Sequence, residues 1–218
     1  MNALSKSGFQ SDQRPLAGVL WMLLSGLCFV AVISSVKHLG TSIPSAQSAF
    51  LRYALGLVFA LPMLFVIRNE RPDASVWRIL TLRGVAHSGA VILWFYAMTR
   101  IPLAEVSAMG YLSPIYVSIG AALFLGERLR LRRIAAIGAA IVGALIILRP
   151  GMRALNDGHL AMLFTAALFA TSYVLTKRVA GKVSPTLVVT MLSVTVTIGT
   201  APFAIAVWQP VSWAEIGW

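Results

Sequence analysis

Arg52, Trp94, Glu105, Tyr111, Pro114 and Tyr173 are the residues best suited to grip a small molecule. Arg52 is a lone basic residue inside a long apolar run, and Glu105 is a lone carboxylate near the start of another. A charge at the centre of a membrane span costs about 2.5–3.5 kcal/mol on insertion scales, and less near an interface, so each residue needs a reason to be there. For Arg52 the reasons are snorkelling, a structural ion pair or contact with a solute. For Glu105 they are a pair with Arg52 or a proton-coupling role. Glu127 follows Gly126 and reads as a helix end beside basic residues. Trp94 and His87 are seven apart and share a helix face, as do Ser107, Tyr111 and Pro114. With Tyr173 they would line a cavity for an amphipathic ligand, or else pack and anchor the spans. Pro114 and Gly110 allow a bend that exposes backbone groups.

Other chemistry finds little support. The sequence has no Gly-x-Ser-x-Gly, His-Glu-x-x-His or Gly-x-x-x-x-Gly-Lys pattern. His38, His87 and His159 are widely separated, and the single cysteine, Cys28, lies in an apolar run. No disulfide, metal site, cofactor or catalytic residue is therefore expected. An intramembrane enzyme and a seven-helix receptor are the alternatives. A retinal-type receptor needs a lysine in its last span, and residues 185–208 contain none.

These residues must be positioned by membrane-spanning helices. The chain is 58% hydrophobic and 11% charged, against about 25% charged in a soluble domain. Lipid is the solvent that accommodates such a surface. The net charge of +11 could suit nucleic acid, but the basic residues punctuate apolar runs as topology signals do, so no nucleic-acid partner is expected. About 20 apolar residues cross a bilayer as a helix, and only helices or closed barrels satisfy the backbone there. The apolar runs predict spans at Leu16–Val36, Ser45–Ile67, Ile79–Met98, Leu103–Leu125, Ile134–Leu148, His159–Thr176 and Pro185–Trp208. The first is longer than a signal-peptide core and reads as uncleaved. Breaks at Ser42–Pro44, Arg71–Asp73, Arg149–Gly151 and Lys182–Pro185 separate the runs. Thirteen basic residues fall on the side of the N-terminus, among them Arg78, Arg83 and Arg133, against four opposite. That bias predicts a cytoplasmic N-terminus. Ala135, Ala139 and Gly143 form a small-residue stripe suited to internal packing or to a homodimer seam.

A shift of 140 residues aligns Gly18 with Gly158, Met22 with Met162, Phe29 with Phe169, Lys37 with Lys177 and Pro62 with Pro202. Five spans separate the two copies, so the second is inverted, a recurring transporter architecture. The fold class expected is an all-α membrane protein, a polytopic helical bundle of inverted five-helix repeats. Residues 16–150 would be the first repeat and residues 158–218 part of the second.

Trp94-Phe95-Tyr96-Ala97-Met98, Ile101-Pro102-Leu103-Ala104-Glu105, Leu112-Ser113-Pro114-Ile115 and Leu123-Phe124-Leu125-Gly126-Glu127-Arg128 carry a family resemblance, extended by Arg149-Pro150-Gly151. With these stretches the chain resembles the drug/metabolite transporter (DMT) superfamily, in its EamA-type branch. The resemblance implies ten spans in two inverted repeats, both termini in the cytoplasm, and carriage of a small-molecule substrate across an inner membrane. The chain ends after the seventh span, so three spans of the second repeat are expected to be missing and transport by this chain alone is not expected. Polar groups such as Thr171, Ser172, Ser193 and Thr197 would then risk losing partners, although hydroxyls can bond back to their own helices.

Overall fold

The computed structural model describes residues 15–39, 43–127, 131–148 and 155–211. Among these residues the regular structure is helical, and the chain is a multi-pass α-helical membrane protein. Helix α1, Pro15–Leu39, is a unit by itself. Its Leu16, Trp21, Met22 and Leu27 side chains are exposed, as lipid-facing residues are.

The second unit begins with α2, Ser45–Ile67, and α3, Ala74–Met98. Next come α4, Leu103–Gly110, and α5, Leu112–Leu125. They are followed by α6, Leu131–Leu148, α7, Asp157–Val179, and α8, Pro185–Ala206. Helix α3 packs most extensively on α7 and α2 on α8, while α5 lies along α7 and α6 meets α4 and α5. The buried centre is rich in small and hydroxylated residues, including Ala90, Ala166, Ser172 and Thr200. Large apolar side chains such as Phe59, Leu123 and Ile205 point outward. This distribution suits lipid, where close backbone approach drives helix association. At Gly84 an added Cβ would collide with Thr195 of α8, so that glycine sets how closely α3 and α8 approach.

Local capping explains several helix ends. Asn156 caps α7 by accepting from Gly158 N at 2.9 Å, and its own amide donates to His159 Nδ1 at 3.1 Å. Ser184 caps α8 by accepting from Leu187 N at 3.0 Å. Glu70 clasps the same turn through Ser184 Oγ and Ser184 N. At the other end of α2 and α8, Gln47 and Gln209 exchange two hydrogen bonds of 2.8 and 2.9 Å.

Two expectations require correction, the start of the third span and the place of Arg83. The third span begins at Ala74 rather than Ile79, because Pro72 and Asp73 break the chain and the polar turn after them still has helical partners. Arg83 is consequently a buried intramembrane residue rather than a flanking one, and its Nη1 donates to Val188 O at 2.7 Å. The fourth span is two helices, divided at Tyr111. Pro114 has no amide hydrogen to offer Gly110 O, which opens the ladder where the sequence predicts a bend. The hydroxyls expected to risk losing partners largely bond back to their own helices: Thr171 to Ala167 O, Ser193 to Val189 O and Thr197 to Ser193 O. The stripe of Ala135, Ala139 and Gly143 is not on the inward face of α6; the two alanines are exposed and Gly143 is half-buried.

Candidate functional site

The break in the α4–α5 span leaves Tyr111 and Pro114 on a surface facing α6 and α7. There they line a cavity of about 510 Å³ with Ser118, Arg133, Ala140 and Tyr173. Pockets that hold small molecules are commonly about 300–1,000 Å³. Small residues of α6 leave the space open, and Tyr111 and Tyr173 supply flat apolar faces with polar tips. The structure thus brings Tyr111, Pro114 and Tyr173 together.

Arg52 and Trp94 form a second group. The Arg52 guanidinium lies 5.4 Å from the Tyr53 ring centroid and 6.0 Å from that of Trp94, within cation–π range. Tyr53 Oη is 3.0 Å from His87 Nε2, and His87 Nδ1 is 3.2 Å from Ser172 Oγ. The Phe169 ring meets His87 edge-on at 4.9 Å and stacks on Tyr173 at 6.3 Å. A continuous chain of rings therefore joins the Arg52 group to the cavity wall.

Glu105 stands in a third place. Its Oε2 is 2.9 Å from Nε2 of His159, and both residues are buried. The hydrogen-bond partner seen is thus His159, where the sequence suggested a pair with Arg52.

At the far end of α7 from His159, Gly126 takes φ +70° and ends α5, a left-handed turn suited to glycine. Glu127 follows it, with Lys177 Nζ at 2.8 Å from Oε1 and Arg133 Nη1 at 3.2 Å from Oε2. The Lys177 hydrogen bond, then that of Arg133, holds the Glu127 carboxyl below its ordinary pKa of 4.5. Arg133 also donates through Nε to Ser118 Oγ at 3.0 Å, so it belongs to both the cavity wall and the Glu127 cluster.

Sequence reasoning missed Arg133, Arg83, Tyr53 and the partner of Glu105. Arg133 and Arg83 are counted there with the basic residues that flank spans. The Pro72-Asp73 break, ten residues before Arg83, was the available signal that Arg83 lies well inside a helix. Asn156 and His159, at the spacing of an N-cap and its third helical residue, were the signal for the α7 start.

These features define a class: a multi-pass helical membrane protein with an open, solute-sized cavity between its helices. A family model described as the EamA-like transporter family matches residues 16–149. The riboflavin transporter of Rhizobium johnstonii is 32% identical over 191 residues, covering 84% of this chain and 62% of that protein. The riboflavin transporter of Vibrio cholerae is 32% identical over 206 residues, covering 90% of this chain and 67% of that protein. The pseudopaline exporter CntI of Pseudomonas aeruginosa is 32% identical over 136 residues, covering 62% of this chain and 47% of that protein. No solved structure matches the chain. The chain belongs to the EamA-like transporter family, and it spans between about half and two-thirds of the length of these three relatives.

Proposed function

We propose that this protein carries a small solute across a bacterial inner membrane by alternating access, as a secondary-active carrier or exchanger rather than an enzyme. The solute rests in the cavity between α5, α6 and α7, against Tyr111, Pro114 and Tyr173. The observation that carries this reading is the coincidence of that cavity with the break at Tyr111, since discontinuous helices recur at transporter binding sites. Arg52 and Trp94 lie at the far end of the ring chain from the cavity and guide the solute toward it. Glu105 acts through its contact with His159. Residues 16–150 form one five-helix repeat and residues 158–218 belong to an inverted second, with the N-terminus in the cytoplasm. The relatives from Rhizobium johnstonii and Vibrio cholerae are named riboflavin transporters, and the paired tyrosines suit a planar heteroaromatic ring of that kind.

Uptake of labelled riboflavin into proteoliposomes holding a ten-span extension of this chain tests this. Saturable uptake is expected, reduced about tenfold by Tyr173→Ala through lost ring contact. Arg52→Ala is expected to slow uptake, whereas Arg130→Ala, in the basic loop, leaves it unchanged. Uptake no greater than in empty vesicles, for riboflavin and other heteroaromatic metabolites alike, contradicts the reading. Labelling of a cysteine at residue 129 from outside intact cells contradicts the orientation.

A further inference from the structure

We propose that Arg133 and Lys177 form a recognition site for an anionic group on the solute, and that Glu127 occupies this site when no solute is bound. The inference rests on the transport reading above and adds to it the charge of the substrate: a planar solute bearing a phosphate or carboxylate. The cavity wall is otherwise apolar or hydroxylated, and Arg133 is its cationic member among the lining residues. Lys177 follows Tyr173 by one helical turn on α7, so it stands at the rim of the same cavity. Glu127 bridges the two cations with one oxygen to each. That is the arrangement a carboxylate or phosphate adopts between two bases.

The bridge is suited to exchange. All three side chains are more than a third exposed, at 36% for Arg133 and Glu127 and 41% for Lys177. Exposed ion pairs contribute little to stability, so an incoming anion displaces Glu127 at small cost. The backbone around Glu127 is held independently: Glu127 N donates to Ala121 O at 3.2 Å, and Arg178 Nη2 donates to Phe124 O at 3.3 Å. The Glu127 side chain can therefore leave while the end of α5 stays in place. Release of its bridge also frees α6 from α7 at this rim, which links occupancy of the cavity to its opening. The depressed Glu127 pKa keeps the carboxylate charged near neutral pH, so a competing anion rather than a proton is what removes it.

Riboflavin and flavin mononucleotide share a ring system and differ by one phosphate, which makes them a matched pair of probes. Their binding to the purified 218-residue protein in phosphatidylcholine nanodiscs is read by quenching of flavin fluorescence. Flavin mononucleotide is expected to bind about tenfold tighter, the effect of one charged hydrogen-bond pair. Arg133→Gln should bring the two affinities together, while Glu127→Gln, which removes the resident competitor's charge, should tighten flavin mononucleotide binding more than riboflavin binding. Repeating the titration with phosphatidylglycerol separates two sources of anion: a preference abolished by that lipid means a headgroup fills the site, and a preference retained means the solute does. Equal affinities in the unsubstituted protein, or a preference that survives Arg133→Gln, overturn the anion site and leave the transport reading intact. Absence of binding by either flavin overturns both.

Discussion

The two ends of α7 solve the same problem in opposite ways. At its start, Glu105 meets His159 in a buried pair, and the His159 ring also braces the Asn156 cap. At its other end, Glu127 meets Lys177 and Arg133 where all three side chains are partly exposed. Burial makes the first contact costly to break, because a buried group that loses its partner pays the full desolvation penalty. Exposure makes the second cheap to break and free to exchange. The cavity lies beside the half of α7 that carries the exposed contact.

The largest effect is expected where burial is greatest. Glu105→Ala should destabilise the protein by about 2 kcal/mol, the scale for leaving a buried donor without its partner, read as a lowered unfolding midpoint in mixed detergent micelles. A midpoint unchanged by this substitution would remove the distinction between the two ends. Asn156→Ala should cost about 1 kcal/mol through loss of the α7 cap, measured in the same way. Glu127→Gln should leave the midpoint where it is, and a drop equal to that of Glu105→Ala would erase the contrast.

The smallest effect concerns pH at the exposed end. The folded-state pKa of Glu127 lies below its ordinary 4.5, so its ion pairs are present above that value and are lost only as pH falls through the depressed one. Spin labels at Ile134 and Thr171 should keep their separation between about pH 5.5 and 8.5, and the distance should broaden only in strong acid. Broadening between pH 6 and 7 would point to a different titrating group at this rim.

Much of this arrangement was legible beforehand, for a physical reason. Spans are dictated by apolar length in lipid, and α2, Ser45–Ile67, matches its apolar run at both ends. The break near Gly110 and Pro114 was legible because proline removes a hydrogen bond whatever surrounds it. Tyr111, Pro114 and Tyr173 do line one cavity, yet nothing local connects Tyr173 to the other two. The partnership of Glu105 with His159 depends on how α4 and α7 are set against one another, and register between distant helices has no short-range signature. Arg133 was hidden for a different reason: basic residues at span ends usually report topology alone, whereas this one also turns into the cavity and reaches Ser118.

The central claim is that a solute enters the cavity between α5, α6 and α7, and occupancy at Tyr173 tests it most directly. With Cys28 replaced by serine, Tyr173→Cys should react with a water-soluble maleimide, and saturating flavin should protect it from labelling. A cysteine at Asn69, exposed in the turn between α2 and α3 and not part of the cavity wall, is the control and should label at the same rate with or without flavin. Protection at Tyr173 alone is the result the account predicts. Labelling at Tyr173 that flavin does not slow, or no labelling at all, would contradict it.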